Sequence, residues 1–149
     1  MTNFKYVEQL LTDYNKREDI YKQYDLEIEE IRINAYDGGG IGAIDYSRDR
    51  VQTSSRQGSI VEDLVLKGDN EIRELVRQKK LKKIHFEKLT LAINGFNEIE
   101  LNIFKYYYQK RYTWNAVSRM IGLNRTSLID YRNKMVNRII EEFNIKVNK

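Results

Sequence analysis

Residues 110 to 134 hold the side chains best suited to meet a polyanion. Arg125, Thr126, Ser127, Asp130, Tyr131 and Lys134 are spaced so that they fall on the exposed first turns of one helix, with Lys110 and Tyr112 just upstream. The Arg125 fork can pair bidentately with a guanine edge or grip a phosphate, and the Thr126 and Ser127 hydroxyls can do either. Tyr131 and Lys134 can reach a nucleic-acid backbone, as can Lys110 and Tyr112. Asp130 is unusual on such a helix; it would accept from cytosine or orient a neighbouring arginine. No catalytic set competes with this one. His85 is the only histidine and there is no cysteine, so a zinc site and a histidine-based triad are excluded. His85 itself is expected to be a partly exposed helix residue. "GGGIG" lacks the Lys-Ser/Thr ending of a phosphate loop. "YSRDRVQ", residues 46 to 52, faintly resembles the Tyr-x-Arg-x-Ser motif of serine recombinases, but Arg50 stands where the serine belongs. The expectation is no enzyme, no cofactor and no metal.

The elements around these residues have readable ends. Thr113 can cap a short helix from Trp114 to Ile121, with Trp114, Val117 and Ile121 on one face. Gly122 suits the left-handed conformation that closes it, Leu123 is placed as an apolar plug, and Asn124 is the next N-cap. The last helix then runs from Arg125 to about Phe143, its stripe of Leu128, Met135, Ile139 and Phe143 interrupted by Arg132. Short helix, glycine turn, plug and polar-fronted second helix make up a helix-turn-helix. The plainer reading is a glycine corner between packed helices; the basic surroundings, including "YYYQKRY" (residues 106 to 112), favour DNA. Upstream, Asn94-Gly95 is a helix stop, and Asn97 with Glu100 forms a capping box that starts a helix at about Glu98. Ile99, Ile103, Phe104 and Tyr107 face it inward until it ends near Gln109.

The N-terminal part has no proline, and five of its glycines cluster between residues 38 and 58. From Phe4 to Ala35 a heptad row of Val7, Tyr14, Tyr21, Ile28 and Ala35 accompanies a second row of Leu10, Tyr24 and Ile31, which Arg17 interrupts. This predicts a helix of about nine turns. Residues 37 to 59 read as a long flexible loop. A second helical pattern follows through Val61, Leu64, Val65, Ile72, Leu75 and Val76, and on to Phe86, Leu89 and Ile93. The two long helices pair either as an antiparallel hairpin or across chains as a coiled coil. Lys79, Lys80, Lys82 and Lys83 either grip phosphate or solvate a helix, and the acidic run of Asp25, Glu27, Glu29 and Glu30 reads as a solvated face. The expected fold is all-α, with a helical hairpin or coiled coil over residues 1–95 followed by a helix-turn-helix domain over 96–149.

With 41% apolar and 32% charged residues, the chain is too apolar to be disordered and too polar for a membrane protein. No stretch approaches the roughly 18 apolar residues a spanning helix needs, and no signal-peptide layout is present, so the expected location is the cytoplasm. Residues 1–70 carry 9 basic and 14 acidic side chains, whereas residues 71–149 carry 17 basic and 8 acidic. The C-terminal half is therefore the polyanion-binding candidate.

Residues 101 to 139 resemble region 4 of bacterial sigma-70-type factors, the promoter-contacting helix-turn-helix. The order of elements, including "VQTS" at residues 51 to 54, is similar to that of small phage regulators of the ArpU/RinA kind. The likeness covers most of the chain loosely and residues 97 to 142 more closely. Val117-Ser118 replaces the usual Ile-Ala, and Asp130 stands where a neutral or basic residue is common; the second departure leaves the target sequence open. The resemblance implies an activator of phage late genes that binds double-stranded DNA in a bacterial host. Residues 125 to 134 would lie in the major groove, with host RNA polymerase a candidate partner and the N-terminal helices candidates for homo-oligomerisation. The alternatives are a phage small terminase subunit that binds packaging-site DNA and a helical adaptor that binds none.

Overall fold

A computed structural model describes residues 1–36 and 54–147, the side chains of 54–61 excepted. Among the described residues the fold is all-α, without a strand. Helix α1 (Asn3–Asp13) leads through a 3-10 turn (Tyr14–Lys16) into α2 (Arg17–Tyr36); α3 (Ser54–Asn94), α4 (Glu98–Asn102), a π-helical segment (Ile103–Gln109), α5 (Trp114–Ile121) and α6 (Arg125–Phe143) follow. Of the loop expected at 37–59, residues 54–59 are the first turns of α3; the remainder, with "GGGIG" and "YSRDRVQ", lies outside the described residues.

Packing divides the chain into two units, but not at residue 95. Met1–Glu18 and Lys82–Lys149 form one unit and Asp19–Leu81 the other. The reason lies in the width of the apolar faces. In α1, Tyr6, Val7, Leu10 and Leu11 are all buried, a broad face that fits a globular core and packs on α6 and the π-helical segment. In α2 only Tyr21, Ile28 and Ala35 are buried, strictly seven apart, which is the narrow seam of a two-helix pairing. The predicted nine-turn helix changes character at its 3-10 turn. There the Tyr14 carbonyl accepts from the Arg17 guanidinium at 2.9 Å, the Arg17 charge lies over the Tyr14 ring, and the Tyr14 hydroxyl meets Thr90 Oγ1 at 2.6 Å. Asp13 and Asn15, weak helix formers, flank that point.

The core of the first unit is closed by Val7, Leu10, Leu11, Phe86, Leu89 and Ile103 together with Val117, Leu128, Met135, Val136 and Ile139. Beyond α6, Asn144 turns the backbone left-handed (φ 50°), Ile145 is fully buried, and the Val147 amide donates to Asn3 Oδ1 at 3.0 Å. His85 corrects its expectation. It is buried, its Nδ1 is 2.7 Å from the Tyr6 hydroxyl, and the two rings meet edge to face. Burial, then the Lys88 and Lys82 charges, hold the imidazole below its ordinary range. Lys82 is also shifted down by burial, and its ammonium lies 4.9 Å from the Tyr6 ring centroid.

In the second unit α2 and α3 run antiparallel, as the Asp25–Lys79 ion pair (2.7 Å) and the Ala35–Gly68 contact require. A hairpin within one chain thus accounts for the seam. Gly68 sits in mid-helix because a Cβ there would stand 2.7 Å from the Ala35 Cβ.

Two outcomes follow. Gly68→Ala should lower stability, because overpacking of about 1–3 kcal/mol outweighs the roughly 1 kcal/mol that alanine returns as a helix former. Adding Ala35→Gly should restore it, read as denaturant midpoints of the single and double variants. For His85, a folded pKa below the free value means that its contribution is complete above about pH 6.5 and is lost as pH falls through the folded pKa. Stability should therefore decline as pH falls below about 6.5, by at most about 1.4 kcal/mol per unit from this group, and His85→Gln should flatten that decline in thermal melts.

Candidate nucleic-acid interface

Helices α4, α5 and α6 each start at a side-chain cap, and α5 ends at a glycine. Asn97 accepts from the Glu100 amide at 2.9 Å while Glu100 accepts from the Asn97 amide at 3.2 Å, completing the capping box. Glu100 is buried and its carboxylate also takes the Arg138 guanidinium, so the box is tied to α6. Thr113 Oγ1 accepts from the Ala116 amide, and Asn124 Oδ1 from the Ser127 amide at 2.7 Å. Gly122 adopts φ 83°, ψ 17°, and its amide donates to the Ser118 carbonyl at 2.9 Å. The Ser118 hydroxyl donates to the Leu123 carbonyl, so the Val-Ser pair that departs from the sigma-like pattern serves the turn. Val117 and Leu128 are fully buried between α5 and α6, whereas the plug Leu123 is only half-buried.

Arg132 proves to be the pivot of α6. Its Nη1 donates to Glu8 Oε2 at 2.9 Å, and its charge lies 5.3 Å from the Trp114 ring and 5.4 Å from the Phe4 ring. The same Glu8 oxygen accepts from the Tyr108 hydroxyl at 2.9 Å. Burial, then the Glu8 charge, push the Tyr108 hydroxyl well above the ordinary phenol range, so it stays a neutral donor. Trp114 in turn stacks on Tyr107, 3.8 Å between centroids. Side chains from α1, the π-helical segment, α5 and α6 thus meet around one carboxylate.

The sequence candidates fall as follows. Arg125, Thr126, Asp130, Tyr131 and Lys134 are exposed on α6, and Ser127 is half-buried behind its capped amide. Arg125 and Thr126 have no side-chain partner among the described residues. Asp130 pairs with Lys134 one turn on, at 3.2 Å. Its partner is therefore a lysine on its own helix rather than an arginine, and both groups are mostly exposed, which makes the pair weak. Lys110 and Tyr112 are exposed in the connection to α5, the Lys110 ammonium 5.4 Å from the Tyr106 centroid and 6.0 Å from that of Tyr112. The expected helix to Gln109 ends there but widens to π geometry from Ile103. Three successive tyrosines take three different partners along it: Tyr106 faces Tyr112, Tyr107 faces Trp114, and Tyr108 reaches Glu8. Arg111, absent from the sequence candidates, is exposed just beyond.

The unit that carries these residues holds 16 basic and 9 acidic side chains, against 10 and 13 in the hairpin unit. Among the described residues no three His, Asp or Glu side chains could hold a metal, and no helix is long and apolar enough to cross a membrane. No protein-family model, curated protein or solved structure matches the chain.

Because Glu8 and Arg132 are both largely shielded, with side-chain exposures of 24% and 15%, removing either leaves the other charge poorly solvated. Glu8→Gln and Arg132→Met should each cost about 1–3 kcal/mol. The double variant should cost clearly less than their sum, measured as a double-mutant cycle in denaturant.

Proposed function

We propose that this chain is a sequence-specific double-stranded DNA-binding regulator of transcription, an activator of phage late genes working in the cytoplasm of a bacterial host. One observation carries the reading: α6 is anchored through its inner face while its first turn offers Arg125 and Thr126, exposed and uncommitted, from a net-positive unit. A rigid helix with free polar side chains at its N-terminal end is what major-groove readout asks for. The resemblance of residues 101 to 139 to sigma region 4 points the same way. Arg125 and Thr126 read base edges in this account, Ser127, Tyr131 and Lys134 adjust the fit, and Lys110 and Tyr112 lie along the backbone. Asp130 tempers the charge of Lys134. The net-negative hairpin unit is the candidate surface for RNA polymerase or for a second copy of the chain.

The test is equilibrium binding to fragments tiling the source genome at two salt concentrations, with unrelated duplex as competitor. One tightly held fragment upstream of a gene cluster supports the regulator, whereas one inside a terminase gene would transfer the same helix to packaging. Weak binding that is uniform across fragments would remove sequence-specific readout, and no binding would leave the corner at Gly122 as packing alone. On the tight fragment Arg125→Ala should cost about 1–3 kcal/mol and relax the preference at one base pair. Unchanged affinity and preference would exclude Arg125 from base readout.

A further inference from the structure

Arg111 occupies a backbone conformation that suits glycine better than arginine. Its φ is 57°, in the left-handed region, and the turn around it is closed by main-chain bonds alone: the Lys110 amide donates to the Lys105 carbonyl and the Tyr112 amide to the Tyr106 carbonyl, each at 3.0 Å. Neither bond uses the arginine side chain. The guanidinium is exposed and, like the Lys105 and Lys110 ammonium groups, has no ion-pair partner among the described residues. What the fold requires here is a residue tolerant of positive φ, and what stands here is a free cation.

Its neighbours give that cation a setting. Tyr106 and Tyr112 lie parallel, 6.2 Å between centroids and 7° apart in plane, with Lys105 5.3 Å from the Tyr106 centroid and Lys110 near both rings. The tyrosine faces attract the two ammonium groups, and with Arg111 they present three positive groups over a few residues. Arg111 also lines an open concavity of about 350 Å³ with Tyr107, Tyr108 and Tyr112. Glu8 on its wall is already engaged by Arg132 and Tyr108, which lessens its repulsion of an incoming anion.

We infer that Arg111, flanked by Lys105 and Lys110, is a sequence-independent contact to a phosphate of the DNA backbone, and that the backbone strain is retained for the sake of that side chain. The inference rests on the reading of the chain as a duplex-binding protein, but not on Arg125 or on any target sequence.

The experiment uses the whole chain and a random-sequence duplex of about 30 base pairs, titrated at several low salt concentrations. Arg111→Gly should melt at or above the wild-type temperature, since glycine relieves the backbone. It should bind roughly 3- to 10-fold more weakly, with the slope of log affinity against log salt smaller by about 0.9, the loss of one phosphate contact. Arg111→Lys should keep the wild-type slope. Wild-type affinity and slope in Arg111→Gly would overturn the assignment, and so would a lower melting temperature, which would give the side chain to the fold. A wild-type protein that ignores duplex would remove both this contact and the proposed function. One that binds all fragments alike, yet loses slope in Arg111→Gly, would remove only sequence-specific regulation.

Discussion

A single carboxylate oxygen organises the net-positive unit. Glu8 Oε2 accepts from Arg132 on α6 and from Tyr108 on the π-helical segment, and Glu8 itself rides on α1. Apolar packing is non-directional and would allow α6 to roll or slide on its buried stripe of Leu128, Met135 and Ile139. A shielded, two-donor hydrogen-bonded pair is directional, and partial desolvation penalises every arrangement that leaves it unmade. Arg132 lies about two turns along α6 from Arg125, so fixing the former fixes the direction in which the latter emerges. The aromatic rings of Phe4 and Trp114 near the guanidinium narrow the choice further.

Around that pivot, local caps do the remaining work. Asn97, Thr113, Asn124 and the left-handed Gly122 each satisfy or terminate a helix end within three or four residues, and Ser118 takes care of the Leu123 carbonyl. Glu100 joins this local layer to the global one, since the carboxylate that closes the capping box also holds Arg138. With the backbone donors of the first α6 turn partly served by Asn124, the side chains there are left to face outward.

This division explains what the sequence made legible. The bounds 114–121 and 125–143, the capping box and the glycine closure depend on residues close together in the chain, and each is where the pattern placed it. Most of the features that were not legible need a partner far along the chain. Arg132 looked like a flaw in an apolar stripe because its counter-charge is 124 residues away. His85 looked partly exposed because Tyr6 is 79 residues away, and the need for a glycine at position 68 comes from Ala35 on another helix. The membership of α1 was the costliest omission, although a signal existed: Tyr6 and Leu11 widen its face beyond a heptad seam. The positive φ of Arg111 left no trace in residue type at all.

The unit built from Met1–Glu18 and Lys82–Lys149 is discontinuous, with Asp19–Leu81 inserted between its parts. On the ribosome α1 therefore emerges long before the residues that bury it, and Ile139 and Ile145 arrive only some ten seconds later at ordinary elongation rates. Until then Val7, Leu10 and Leu11 have no core to enter, whereas the hairpin can already close on itself. Folding of the net-positive unit waits on non-local contacts whose loop-closure entropy must be met first. The outward face of α6 thus takes its place only once Ile139 and Ile145 have been made.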